Sequence, residues 1–149
     1  MKRPLLLGLG TLGVMAAALV AGRVLGSRPD EPGFVGPLPT CTDTPNCYRA
    51  RRAYDVGPEA LKTALDAAVR EQRSIFSGSA IRVTPTETGL RAVFRAGPFR
   101  DDVAAAIEPG SAGQSVLHVR SASRVGESDL GVNRLRVRRL LDDVARRLA

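Results

Sequence analysis

The chain has no tryptophan, one histidine, two cysteines, two tyrosines and four phenylalanines among its 149 residues. Each scarcity excludes something. With so few aromatic rings, stacking platforms for nucleic acid are missing, and no nucleic-acid partner is expected. Two cysteines and one distant histidine cannot supply the full tetrahedral ligand set of a structural zinc site, so neither metal nor cofactor is expected. Cys41 and Cys47 are too far apart for a C-x-x-C motif, which leaves dithiol exchange without support. No G-x-S-x-G, H-E-x-x-H or P-loop pattern occurs. Lysine is also scarce. Lys2 and Lys62 stand against 20 arginines, with alanine, glycine, proline and valine abundant. That bias reads as GC-rich bacterial coding rather than as demand for phosphate contacts.

The net charge of +7 is unevenly placed. Lys2, Arg3, Arg23 and Arg28 put +4 in residues 1–28, which hold no acid, and residues 29–149 carry the other +3. Within the first segment lie 19 consecutive uncharged residues, PLLLGLGTLGVMAAALVAG at 4–22, bracketed by Arg3 and Arg23. An apolar helix of that length just spans a hydrocarbon core of ~30 Å at ~1.5 Å per residue. The same run, with small residues at Ala21, Gly22 and Gly26, also suits a signal segment. It is long for one, since cleaved h-regions have about 7–15 residues. Residues 1–28 are therefore expected to be an N-terminal apolar helix, either a membrane anchor through residues 4–22 or a cleaved signal. Charges on both flanks give almost no orientation bias. The short head favours a membrane-anchored domain outside the cytoplasm, with secretion after cleavage as the alternative.

Residues 29–40, PDEPGFVGPLPT, hold four prolines and two glycines and read as a semi-rigid tether. A single domain over 41–149 follows. Its first feature is CTDTPNC at 41–47, where Pro45-Asn46 signals a turn. Outside the cytosol Cys41 and Cys47 are expected to form a disulfide, and in a reducing compartment two free thiols.

Periodicity supplies the fold class. Gly57-Pro58 opens a helix whose stripe is Leu61, Leu65, Ala68, Val69 and Gln72. Tyr54 and Val56 suggest a short strand before it. Ile81 and Val83, then Leu90, Ala92 and Phe94, alternate on either side of the turn Thr86-Glu87-Thr88-Gly89 and predict a hairpin. Val103, Ala105 and Ile107 make a further strand, and Leu117, Val119 and Ser121 another, with Val116, His118 and Arg120 facing the other way. A last helix starts near Gly131, with Val137, Leu140, Leu141, Val144 and Leu148 as its stripe. Arg134, Arg136, Arg138 and Arg139 are expected on its solvated face. The order β-α-β-β-β-β-α implies an α+β domain, a mostly antiparallel sheet with two helices on one face.

Between the last strand and the last helix lies RSASRVGESDLGVNR at 120–134, longer and more polar than an ordinary connection. It reads in two ways. Ser128 or Asp129 can cap the helix while Gly126 and Gly131 supply unusual backbone angles. Alternatively, free N–H groups with Arg124 or Arg134 can hold an anion. Asp101 and Asp102 are adjacent in a strand and so point to opposite faces. At least one is expected to pair with an arginine or bond a neighbouring backbone, with 120–134 as the expected partner segment.

The segments CTDTPNC (41–47), FRDDVAAAI (99–107) and HVRSASRVGESDLGVNRLRVRRLLDDV (118–144) occur in order, and together they make the domain similar to the family called domain of unknown function 1499, over roughly residues 40–149. Tyr48-Arg49-Ala50 departs from the family's usual Val-Ser-Ser, so less of a polar role is expected there. The resemblance implies no activity. It does implicate the polar segment, making Asp101, Asp102, Arg120, Ser121, Ser123, Arg124, Ser128, Asp129, Asn133 and Arg134 candidate ligand-binding residues. The expected function is a non-catalytic module for a small anionic ligand or an envelope protein, with no catalytic residues assigned. The alternative is a small hydrolase-like enzyme using Asp101 or Asp102, Asp129 and a serine. The sequence carries no sign of oligomeric state.

Overall fold

Alternation of small or branched residues with arginine fixes the strands, and the two amphipathic stripes fix the helices. In a computed structural model that describes Asp30 and residues 34–41, 43–74 and 78–149, the order is β1 (Cys47–Tyr54), α1 (Pro58–Glu71), the two-residue β2 (Arg73–Ser74), β3 (Gly78–Pro85), β4 (Gly89–Ala96), β5 (Phe99–Pro109), β6 (Ser115–Ser123) and α2 (Val132–Leu148). Leaving aside β2, this is the α+β order that the periodicity implies. The apolar run at 4–22 lies outside the described residues. No helix among the described residues is long and apolar enough to cross a membrane.

All pairings are antiparallel, and the strands lie in the order β1-β6-β5-β4-β3-β2. First and last strands are therefore neighbours in space. That pairing brings the cysteine segment against the polar segment, with Cys47 opposite Ala122 and Tyr48 opposite Ser121.

The core lies between one face of the sheet and the helices. Leu61, Leu65 and Val69 of α1 and Val137, Leu140 and Val144 of α2 meet Phe94, Val103, Leu117 and Val119, all of them buried. Burial of such side chains is worth roughly 1.5–3 kcal/mol each and supplies the main drive to fold. The Tyr54 hydroxyl donates to the Leu141 carbonyl at 2.8 Å, tying β1 to α2.

Three local readings are corrected. β1 begins at Cys47, well before Tyr54; Arg49, Arg51 and Arg52 conceal its alternation. Ile81 is exposed, because the register slips between Ala80 and Arg82 and turns Ala80 and Val83 toward the core instead. Arg136 is not solvated: it is wholly buried. Its place in the helix explains why. It lies three residues after Asn133 and four before Leu140, both buried, so it falls on the α2 stripe.

Candidate functional site

Odd-numbered residues of β5 and β6 face the helices and even-numbered ones face away. Asp101, opposite Ser123, therefore enters the core, and Asp102, opposite Ala122, does not. Asp101 Oδ2 accepts from Arg136 Nη2 at 2.6 Å. Arg136 Nη1 donates to Ser121 Oγ and Asn133 Oδ1, each at 2.8 Å, and Ser121 Oγ donates to Asn133 Oδ1 at 2.5 Å. The guanidinium also lies 4.8 Å from the centre of the Phe94 ring. Burial pulls the Arg136 pKa below its ordinary value, while the Asp101 carboxylate pulls the other way. An arginine stays charged through such a shift.

The network reaches the cysteine segment. Asn133 Nδ2 donates to the Asn46 carbonyl at 2.8 Å and to Ser123 Oγ at 3.0 Å. Asn46 Nδ2 donates to the Gly126 carbonyl at 2.5 Å, and the Ser123 N–H donates to the Asn46 carbonyl at 2.9 Å. Cys41 and Cys47 are joined in a disulfide that closes this loop. Thus the cysteine segment, the Asp-Asp strand and the polar segment are hydrogen-bonded to one another.

The rest of the polar segment shapes the start of α2. Asp129 accepts from the Gly131 N–H at 3.0 Å and from the Asn133 N–H at 2.6 Å, satisfying amides that the first helical turn leaves open. Ser128 Oγ accepts from the Leu130 N–H at 3.4 Å. Gly126 and Gly131 both take the left-handed backbone. Arg124 pairs with Asp102 on the surface at 2.7 Å, and Arg134 lies 5.9 Å from the Tyr48 ring centre.

Arg120 stands apart from the other candidates. It is on the face away from the helices, in a row running Arg49, Arg120, Ala104, Arg91 and Thr84 across five strands. Its Nε is buried without a hydrogen-bond partner, and among the described residues it has no ion pair. Burial is the main reason its pKa falls, with the neighbouring Arg49 second.

This face carries a strap that sequence reasoning missed. Residues 34–40 of the tether lie across it. Arg49 holds them through a bond to the Leu38 carbonyl at 2.8 Å, and it also makes paired bonds to Asp30 at 2.5 and 2.6 Å. The same guanidinium lies 4.3 Å from the centre of the Phe34 ring. Phe34 also packs edge-on against His118 at 5.8 Å. The departure at Tyr48-Arg49-Ala50 thus has a polar role after all, as the anchor of the strap. His118 is buried beneath it. Its Nε2 is 2.7 Å from Glu108 Oε2, at ion-pair distance but without hydrogen-bond alignment. Burial depresses the His118 pKa more than Glu108 raises it.

Beside the strap lies an open groove of about 760 Å³. Pro37, Leu38 and Pro39 form one wall, Val93, Ala104 and Ala106 line the floor, and Arg82, Arg91, Asp102 and Arg120 edge it. The one signal in the sequence for this groove is the pair of alanines, Ala104 and Ala106, at every second position of β5. Among the described residues no group of three or more His, Cys, Asp or Glu is placed to hold a metal ion.

Comparison with known proteins adds a family but no activity. No curated protein matches the chain in sequence. Among solved structures, the crystal structure of TTHA0849 from Thermus thermophilus is similar at 14% identity and a TM-score of 0.40, over 68% of this chain and 96% of that one. The model of the family described as "Protein of unknown function (DUF1499)" matches residues 37–144, and the chain belongs to that family.

Proposed function

We propose that the chain is a non-catalytic binding module of the cell envelope, tethered outside the cytoplasm by residues 4–22, that takes a small ligand in the groove beside the strap. One observation carries this reading. Asp101, Asp102, Ser121, Ser123, Arg124, Ser128, Asp129 and Asn133 are engaged with neighbouring side chains or with the backbone. Among the described residues, Arg120 and Arg134 each keep a buried Nε without a hydrogen-bond partner, but Arg134 lies against the Tyr48 ring, whereas Arg120 is half-buried, unpartnered, and at the edge of a cavity. The groove falls within the usual small-molecule range of roughly 300–1,000 Å³. The disulfide between Cys41 and Cys47 supports the placement outside the cytoplasm. The hydrolase alternative gains nothing from the geometry. The one imidazole faces away from the helices, while Asp101 and Ser121 face them, so the sheet separates a base from that acid and hydroxyl, and Asp102, on the imidazole's own face, is held by Arg124.

Native mass spectrometry on the full chain, purified with its bound molecules from its own membranes, tests this reading. The expected result is a small-molecule adduct that is lost in Ala104→Leu, which fills the floor of the groove. An adduct unaffected by that substitution, or none at all, overturns it.

A further inference from the structure

We propose that the ligand is an amphiphile with an oxyanion head, carboxylate or phosphate, seated over Ala104 between Arg120 and Arg91, with its apolar body along the strap. This rests on the groove being the binding site, and it names the chemistry the groove selects.

The register supplies the head-group position. Arg120, Ala104 and Arg91 are directly paired across β6, β5 and β4. Adjacent strands are ~4.8 Å apart, so the two arginines arise about 10 Å from each other. The residue between them ends at a methyl group. Two long guanidinium side chains can lean over that gap from opposite sides and close on one oxyanion, as arginine forks do.

Charge complementarity supplies the sign. Arg82, Arg91 and Arg120 border the groove against one acid, Asp102. Asp102 already takes three hydrogen-bond contacts from Arg124, at 2.7 to 3.1 Å. Asp30, the other carboxylate acting on Arg120, is held by Arg49. Both carboxylates are thus committed elsewhere. A partly dehydrated guanidinium with no acceptor gains more from an arriving anion than a solvated one does.

The remaining lining supplies the body. Leu38 and the rings of Pro37 and Pro39 face Val93, Ala104 and Ala106, with Thr84, Thr86 and Thr88 at the far side. Such a channel accepts a slender apolar chain and offers hydroxyls at its end, but no aromatic surface for a flat ring system.

Calorimetric titration of the full chain in lipid nanodiscs, with empty discs as blank, tests the assignment. The probes are hexanoate, hexyl phosphate, inorganic phosphate, 1-hexanol and hexylammonium. Hexanoate and hexyl phosphate are expected to bind. Inorganic phosphate and hexanol should each bind about tenfold more weakly, and hexylammonium not at all. Arg120→Gln should weaken both amphiphilic anions about tenfold and leave hexanol unchanged, while Arg120→Lys restores part of the loss. An unchanged thermal midpoint in both variants shows that the fold is intact. Hexanol binding as tightly as hexanoate overturns the anionic head and spares the groove. Inorganic phosphate binding as tightly as hexyl phosphate overturns the apolar body. Anion binding indifferent to Arg120→Gln overturns the site. Failure of every probe to bind overturns both this proposal and the groove as a binding site.

Discussion

Asp101 and Asp102 are neighbours in one strand, and each holds an arginine. Their two faces of the sheet make opposite uses of that pairing. The Asp101–Arg136 pair has side-chain exposures of 3% and 0%, while the Asp102–Arg124 pair has 50% and 45%. Beneath the helices, every polar atom of the pair must find a partner inside the protein, and Ser121, Asn133 and Asn46 extend the network until it closes. On the other face the Asp102–Arg124 pair stands in water and needs no such network, while Arg120 nearby is left, among the described residues, without a hydrogen-bond partner for its buried Nε and is available to a ligand. Identical residue chemistry thus yields scaffold on one side and a candidate site on the other.

The largest expected effect tests the buried side. Asp101→Asn removes the buried carboxylate that Arg136 pairs with and should cost about 3–5 kcal/mol of stability, read as a shift of the urea unfolding midpoint. A loss under about 1 kcal/mol would mean that the pair is not desolvated in solution.

A pH scan of thermal stability comes next, because the two faces titrate at opposite ends. On the helix side, burial raises the Tyr54 pKa from 10.0 to about 12. The folded state therefore prefers the protonated phenol; that stability is whole below pH 10 and is lost as pH rises toward 12. On the strap side, burial lowers the His118 pKa from 6.5, so the folded state prefers neutral imidazole. That stability is whole above pH 6.5 and is lost as pH falls through the depressed value. Tyr54→Phe should remove the alkaline limb alone, and His118→Gln the first part of the acid limb alone. Persistence of either limb in its variant would detach the effect from that residue.

The smallest effect belongs to the exposed pair. Asp102→Asn should cost less than about 1 kcal/mol, with even that reduced by salt. A loss comparable to that of Asp101→Asn would erase the distinction between the faces.

Much of the fold was legible before any coordinates. The helix stripes, Pro58 at the first turn of α1, the β3–β4 hairpin and Asp129 at the start of α2 all follow from local spacing and capping chemistry. Parity along β5 and β6 also separated Asp101 from Asp102 and Ser121 from Arg120. What spacing could not show was what covers each face. Arg136 looked like one more solvated arginine among Arg134, Arg138 and Arg139, because its acceptor lies 35 residues away. The strap was illegible for the same reason. A proline-rich segment has no periodicity, and its docking depends on Arg49 and His118 across the sheet.

The sequence by itself determined the element order, the parity of each strand residue and the family membership, since these rest on contacts between near neighbours and on motifs read along the chain. The tertiary structure alone decided which arginine is buried, that the tether lies down as a strap, and that Arg120 is left at the edge of a groove. Those outcomes depend on strand register and on carboxylates distant in sequence, and a charge has no assigned partner until the fold has brought its competitors together.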